Sequence, residues 1–338
     1  MFGFGEFLKD YLNYHKISQT DFASRLDISV KHMNEIINGN TRISEELMLA
    51  ISLITDIDVN FIFYIENKKR MYDYLYNKFN DEKSIKKFLN SYYLKDIQKR
   101  KWISLKDEQS LVQCSLDLLE YLQISNFDNA NNYIKEKILY KKKNDADLKK
   151  IYLWIRRCDK IAINQKVAKY NKTNLNLLLD ELKNEQNNKF NINKIINIFN
   201  KYGIYLVIED ALPGTKIRGC MMVKGSNPVI YLTKYLKEKS SFYFTLYHEL
   251  GHVKTDYNKA KSKIITYQDD SEEKADKFAL SQMIPPNIWN NIINNYQNKD
   301  NICKENKIPL CFLYSRLAYE NIIKYNSKEY QIHRESIE

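Results

Sequence analysis

The residues that interrupt regular structure are few in this chain and unevenly placed. Its 338 residues include only eight glycines and five prolines. None of them lies between Gly39 and Gly203, and glycine and proline are the residues that most often break helices and strands. We therefore expect residues 40–202 to be almost entirely helical.

Long apolar runs and paired cysteines are also missing. No stretch of about 18 apolar residues occurs, so the sequence predicts no transmembrane helix. Residues 1–6 lack the basic and then apolar pattern of a signal peptide. The five cysteines are scattered and form no CxxC pair, which argues against a cysteine-based zinc site and favours reduced thiols. Together these absences predict a cytoplasmic protein with no membrane partner.

Positive charge is concentrated in the middle of the chain. The net charge is +11. Residues 1–70 carry 8 basic and 10 acidic side chains, a net of −2, whereas residues 71–200 carry 25 and 16, a net of +9. A basic middle segment could contact nucleic acid. Solvated surface is the simpler interpretation in a chain so rich in lysine and asparagine.

The sequence predicts a mainly α protein with a C-terminal α+β domain. Ten of the thirteen glycine and proline residues lie within residues 203–309. Three short apolar segments there predict the strands of a small sheet, at residues 205–208, 220–223 and 229–232. The length favours two or three domains. We assign residues 1–68 to an N-terminal helical bundle, 69–150 to a helical linker and 151–338 to the C-terminal domain.

Residues 5–66 divide into five short amphipathic segments, and the second and third have the form of a helix-turn-helix unit. Ser18 can cap a helix that starts at Gln19, and Ser29 can cap another that runs from Val30 to Ile37. Gly39 can take the left-handed conformation that ends this helix. Two short helices joined by such a turn form the unit that many DNA-binding proteins use.

The second helix of such a unit enters the major groove with its N-terminal residues. Side chains there can bond to base edges, and those in the flanking turns lie where phosphates pass. The predicted DNA-binding residues are Gln19, Ser29, Lys31, His32, Asn34, Asn40, Thr41 and Arg42. The alternative is a helical bundle that binds protein, which the negative charge of residues 1–70 favours, because DNA affinity is largely electrostatic.

His248, Glu249 and His252 form an HExxH sequence, which is the sharpest chemical signal in the chain. Residues four apart share one face of a helix, so the two imidazoles can hold one Zn²⁺. Glu249 can then act as a general base towards a water that the metal activates. Only five histidines occur in the chain, and two of them are here. A chance match on a metal-free helix is the alternative.

A catalytic zinc needs a third protein ligand and one open position. The acidic candidates downstream are Asp256, Glu272, Glu273 and Asp276. Residues 271–279 predict a helix on which Glu272 and Asp276 share a face. We assign Glu272 as the third ligand and keep Glu273 as the fallback. Asp276 is expected to hold the tautomer of a ligand histidine through its other ring nitrogen.

Several segments together resemble known families. One set lies between Trp154 and Trp289, and it resembles the ImmA/IrrE family of metallo-endopeptidases. Its segments are 154–157, 212–215 with Gly219, 244–252, 272–279 and 284–289. The other set lies near the N-terminus, at residues 17–19, 33–39 and 43–46, and it resembles the Xre-type helix-turn-helix of HigA-type antitoxins. The first resemblance implies a zincin-like domain with zinc ligands His248, His252 and Glu272 and the general base Glu249.

The chain departs from the ImmA/IrrE pattern at two positions. Many members have a histidine four residues after the second ligand, where this chain has Asp256. Members often have a carboxylate two residues before Asp276, where this chain has Lys274. By our interpretation neither position is an essential ligand.

The combined resemblances imply a DNA-binding transcriptional regulator with a zinc-dependent endopeptidase domain. Its expected partners are operator DNA and a protein substrate such as a repressor or a toxin. Helix-turn-helix proteins commonly bind palindromic sites as dimers, so we expect a homodimer. The alternative is an antitoxin-like transcriptional repressor whose zincin domain is a non-catalytic module for sensing or partner binding.

Overall fold

The computed structural model describes residues 3–79, 81–104, 110–125, 127–139, 147–265 and 269–337. Within these ranges the chain is mainly helical and carries one small mixed sheet. None of the helices in this part of the chain combines the length and the hydrophobicity needed to cross a lipid bilayer. The chain divides into two compact units, residues 1–118 and 119–338. The division falls inside the segment that the sequence assigns to a linker.

The described part of the first unit is helical. Its helices are α1 (Phe4–Tyr14), α2 (Gln19–Arg25), α3 (Val30–Ile37), α4 (Glu45–Thr55), α5 (Val59–Phe79), α6 (Glu82–Ser91) and α7 (Leu94–Lys99), with α8 (Leu111–Leu122) crossing the division. The first four of the five segments predicted within residues 5–66 form short helices, but the fifth belongs to α5, which is 21 residues long and runs on to Phe79.

Serine side chains start three of these helices. Ser18 accepts a hydrogen bond from the backbone N–H of Asp21, and Ser29 accepts one from that of His32, both at 3.1 Å. Ser44 does the same at the start of α4. These bonds satisfy backbone donors that the first turn of a helix leaves without a partner. They fix the starts of α2 and α3 where the sequence predicts them.

In the first unit, α1 packs closely against the end of α3. A Cβ atom on Gly5 would lie 2.1 Å from the carbonyl oxygen of Ile36, so only glycine allows this approach. Met33, Ile36 and Ile37 supply the buried face of α3. Gly39 follows with a φ of +72°, and the polar face of α3 is left towards solvent.

The described part of the second unit contains five strands and the remaining helices. They are α9 (Phe127–Lys137), β1 (Ile138–Leu139), α10 (Leu148–Ala162), α11 (Leu175–Glu185), α12 (Ile192–Lys201), β2 (Tyr205–Ile208), β3 (Gly219–Lys224), β4 (Asn227–Leu232), α13 (Lys239–Thr255), α14 (Tyr257–Ala260), β5 (Ile264–Ile265), α15 (Asp269–Met283), α16 (Pro286–Asn294), α17 (Lys299–Glu305), α18 (Leu310–Tyr319) and α19 (Lys328–His333).

The sheet has the strand order β1-β5-β3-β4-β2. Strands β3 and β4 form an antiparallel hairpin, and β2 lies parallel to β4 on its other side. These three strands are the ones that the sequence predicts. Strands β1 and β5 pair in parallel over two residues each, Ile138 with Ile264 and Leu139 with Ile265. Strand β1 is therefore an exception to the helical prediction for residues 40–202.

Helix α13 lies at the centre of the second unit. Its side chains are buried from Phe242 to Val253 apart from that of Phe244. Alternate residues of a strand face opposite sides of a sheet, and Ile230 of β4 joins the same apolar core as Leu246. Tyr231, the next residue of β4 after Ile230, contacts Trp154 of α10 edge to face. The sheet is therefore covered by α13 on one face and by α10 on the other.

We predict that Ser29→Ala weakens α3, because it removes the hydrogen bond that caps the helix. Loss of such a cap costs about 1 kcal/mol, which corresponds to roughly fivefold faster hydrogen exchange of the α3 amides. Hydrogen–deuterium exchange by mass spectrometry measures this. Ser24→Ala, at an exposed position inside α2, is the control and leaves α3 unchanged. Equal effects of the two substitutions would contradict the role of Ser29.

Candidate metal centre

Two histidines and one glutamate of the second unit converge on a single point. His248 and His252 lie one turn apart on α13 and are 9% and 1% exposed. Glu272 comes from the second turn of α15. One donor atom of each of these residues lies within 4.8 Å of those of the other two. Within the described residues, they form a group that can hold a metal ion.

A glycine sets the distance between the two helices that carry these residues. A Cβ atom on Gly251 would lie 3.0 Å from Cα and 3.2 Å from Cβ of Ala275. Contacts this short require a side chain or a helix to shift. Ala275 is itself fully buried and lies between Glu272 and Asp276 on α15. The pairing of Gly251 with Ala275 therefore lets α15 approach until its carboxylates reach the histidines.

The donor atoms of these three residues lie close together. Nε2 of His248 lies 3.1 Å from Nε2 of His252. The carboxylate of Glu272 faces both nitrogens: its Oε2 lies 3.2 Å from Nε2 of His248, and its Oε1 lies 3.2 Å from Nε2 of His252. Donors bound ~2.0–2.1 Å from one tetrahedral ion lie roughly 3.3 Å apart. The observed distances are therefore close to those between ligands of one ion.

The remaining ring nitrogens are held by two aspartates. Nδ1 of His248 lies 2.8 Å from Asp276, and Nδ1 of His252 lies 2.9 Å from Asp256. If each Nδ1–H donates to its aspartate, each Nε2 presents a lone pair. Two lone pairs and a carboxylate then face one another, which is unfavourable unless a cation lies between them. The chemistry of the donors therefore fits a bound metal ion.

The electrostatics of the site also favour positive charge. Burial by itself lowers the pKa of His248, but hydrogen bonds to Asp276 and Glu272 raise that pKa to about 10. The pKa of His252 is raised as well: burial opposes the rise, and Glu272 and Glu249 cause it. The carboxylates that stabilise an imidazolium here would stabilise a divalent cation in the same place.

Glu249 is buried beside the first histidine. It is 3% exposed, and its Oε2 has no hydrogen bond within the described part of the chain. Burial raises the pKa of Glu249 to about 7, although His248 and His252 oppose that rise. A Cβ atom on Gly219 of β3 would lie 2.5 Å from Oε1 of Glu249. Glycine at position 219 thus leaves the space that this carboxylate occupies.

Glu273 and Tyr247, which adjoin the site in sequence, point away from it. Glu273 is exposed and forms an ion pair with Lys277 at 2.5 Å, so Glu272 is the carboxylate of α15 that reaches both histidines. The hydroxyl of Tyr247 is buried and donates to Gln186 at 3.0 Å. Tyr247 therefore belongs to the packing of the core.

Sequence reasoning did not assign the parts that Asp256, Gly219 and Gly251 take in this arrangement. Asp256 was considered as a ligand and lies instead behind His252, as its hydrogen-bond partner. Its spacing of four residues from His252 was the available signal. Nothing local marks the two glycines, because their importance depends on how closely Glu249 and Ala275 approach them in the folded chain.

The predicted DNA-binding residues cluster in the first unit around α2 and α3. Gln19 begins α2, Ser29 caps α3, and Lys31, His32 and Asn34 lie on α3. The exposed members of the set are Ser29, Lys31, Asn34, Asn40 and Arg42, and the half-buried ones are Gln19, His32 and Thr41. None of these eight residues is buried within the described part of the unit, and contact with DNA stays a prediction.

Comparisons of the chain with protein-family models, with curated proteins and with solved structures find no match. What the site can do therefore follows from its own donor atoms, their spacing and their burial. Two imidazoles and a carboxylate are a donor set that suits divalent ions of the first transition row.

We predict that Glu272→Ala abolishes tight metal binding, because it removes the carboxylate whose two oxygens lie 3.2 Å from the Nε2 atoms of His248 and His252. Glu273→Ala is the matched control: it removes the neighbouring carboxylate, which pairs only with Lys277. Atomic absorption of both purified variants measures their metal content. Full retention of metal by Glu272→Ala, or equal loss in both variants, would remove Glu272 from the site.

Proposed function

We propose that the second unit is a zinc-dependent endopeptidase. The observation that carries this proposal is the convergence of donors from His248, His252 and Glu272, with Glu249 buried beside them. Two histidines and a glutamate, with a fourth position open, are typical of catalytic zinc sites. The resemblance of residues 154–289 to the ImmA/IrrE metallo-endopeptidases supports the same function and a zincin-like fold.

A bound zinc ion would supply a Lewis acid that activates water and polarises the carbonyl group of a peptide bond. His248, His252 and Glu272 would hold it, and the remaining steps belong to the protein. Asp276 and Asp256 keep both Nδ1 atoms engaged at 2.8 and 2.9 Å. They thereby orient the two rings and keep each Nε2 directed at the ion.

Glu249 is the residue that moves protons. Its carboxylate accepts a proton from the attacking water and returns it to the nitrogen of the leaving amine. A group whose pKa lies near 7 can do both at neutral pH, and burial places the pKa of Glu249 there. The buried position of Glu249 also limits exchange of that proton with bulk water.

We propose in addition that the first unit binds operator DNA through α3. The support is the pair of short helices α2 and α3, capped by Ser18 and Ser29, with Lys31 and Asn34 exposed near the start of α3. In helix-turn-helix proteins, the second helix of such a pair enters the major groove. A palindromic operator and a homodimer follow from this proposal. The chain as a whole is then a transcriptional regulator that also cleaves a partner protein.

We predict that Glu249→Gln keeps its zinc and loses peptidase activity, because the amide preserves size but cannot accept the proton. General-base catalysis typically accelerates a reaction 10²- to 10⁴-fold. The rate of cleavage should therefore fall at least about 100-fold. Purified chain and variant are incubated with repressor and toxin proteins encoded at the same locus. Zinc content and fragment formation are measured in parallel.

The outcomes of this experiment separate two functions. One zinc per chain in both proteins, with cleavage only by the unsubstituted chain, is the expected result. Absence of zinc from both would overturn the peptidase proposal. It would favour an antitoxin-like repressor whose second unit is a non-catalytic module for sensing or partner binding. Equal cleavage by both proteins would exclude Glu249 as the general base.

We predict that Lys31→Ala and Asn34→Ala weaken DNA binding roughly 5- to 150-fold each, the range that a lost base contact costs. Electrophoretic mobility shifts with duplexes from the region upstream of the gene measure this. Lys9→Ala, on the exposed side of α1, removes the same charge away from α3 and is the control. No retention of any duplex by the unsubstituted chain at low salt would contradict DNA binding.

A further inference from the structure

A second recess of the C-terminal unit has a chemistry opposite to that of the metal centre. It encloses about 240 Å³ and is bounded by α9, α10, β3 and the segment from Ala260 to Ile264. Its charged lining residues are Lys137, Arg156, Asp159, Lys224, Lys261 and Lys263. Five cations and one carboxylate give the recess a net charge of +4.

The single carboxylate is already fully engaged. Asp159 forms ion pairs with Arg156 and with Lys224, and it accepts a hydrogen bond from the hydroxyl of Tyr231 at 2.6 Å. The lysines of the rim, Lys137, Lys261 and Lys263, have no carboxylate partner within the described residues. In that part of the chain their positive charge is therefore not compensated.

The cations are fixed by bonds that leave donors available. Lys137 donates to the carbonyl oxygen of Ser262 at 3.0 Å, and Lys263 donates to that of Glu136 at 2.5 Å. An ammonium group has three donors, so each lysine has two more. Arg156, whose side chain is 11% exposed, uses Nε on the carbonyl oxygen of Tyr121 and Nη1 on Asp159. Among the described residues its Nη2 has no acceptor.

We propose that this recess binds a small phosphate-bearing ligand. The Nη2 of Arg156 and the ammonium groups of Lys137, Lys261 and Lys263 are charged donors of the kind that bind phosphate oxygens. The volume lies just below the ~300 Å³ at which pockets for drug-sized ligands begin, which suits inorganic phosphate or a short phosphate ester. The tyrosine rings of Tyr133 and Tyr152 also line the recess and can cover the apolar part of an ester.

The recess lies on the connection between the two helices that carry the metal ligands. Helix α13 supplies both histidines and α15 supplies Glu272, and residues 260–264 of the wall lie between them in the chain. A phosphate held jointly by Lys261 and Arg156 would join this connection to α10. The ligand would therefore act on the segment that leads to Glu272 without contacting the metal centre.

Equilibrium dialysis of the zinc-loaded full chain against radiolabelled inorganic phosphate, in chloride buffer, tests this site. The expected result is saturable binding of one phosphate per chain with a Kd below about 1 mM. Arg156→Gln and the double variant Lys137→Gln/Lys261→Gln should each weaken it at least about tenfold. Lys304→Gln, an exposed lysine of α17 outside the recess, is the control and leaves binding unchanged. If Arg156→Gln fails to fold, the double variant decides, because it changes only rim residues.

Three outcomes would overturn the proposal. The first is the absence of saturable binding. The second is binding that the recess variants leave unchanged, which would place the phosphate elsewhere, including at the metal. The third is recess-dependent binding of a single-stranded oligonucleotide in preference to phosphate.

Competition by adenosine monophosphate distinguishes a phosphate ester from free phosphate as the ligand. Displacement of the labelled phosphate identifies an ester as the better ligand, and failure to displace it identifies the free ion. The assay does not depend on peptidase activity, so the two proposals can fail independently.

Discussion

The close approach of α13 and α15 is the constraint on which the metal centre depends. Gly251 and Ala275 meet where a Cβ atom on the glycine would lie only 3.0 Å from the neighbouring helix. This contact brings Glu272 within 3.2 Å of both Nε2 atoms, and Asp276 within 2.8 Å of His248. A side chain at position 251 would push α15 away from α13. Glu272 and Asp276 would then both move away from the histidines. The HExxH pattern alone supplies two donors, and the helix contact supplies the third.

The carboxylates around the histidines determine what the centre prefers to bind. They raise the pKa values of His248 and His252 against the effect of burial. Burial has the opposite consequence for Glu249, whose pKa rises towards neutrality. One group of neighbouring residues thus contains both a place for a cation and a carboxyl group able to exchange a proton near pH 7. Gly219 of β3 leaves room for that carboxyl group, so a residue of the sheet also helps to shape the site.

Local features of the fold could be predicted from the sequence, and features that depend on tertiary approach could not. The bounds of α3 follow from Ser29 and Gly39, and the pairing of His248 with His252 follows from one turn of helix. The two-residue strands β1 and β5 are too short to give an alternating pattern, and they exist because residues 138–139 and 264–265 meet in the folded chain. The sequence leaves Glu273 as an alternative to Glu272. The choice between them depends on which face of α15 turns towards α13, and that is a feature of the folded chain.

X-ray absorption at the zinc edge of the purified chain measures the ligands of the metal themselves. We expect one zinc with two imidazole nitrogens and oxygen ligands at ~2.0–2.2 Å and no sulfur. The free cysteines, four of which are buried, would contribute no scattering at the ~2.3 Å expected of a thiolate. A zinc that shows sulfur ligands or no imidazole scattering, or a chain that binds no zinc at all, would contradict this expectation.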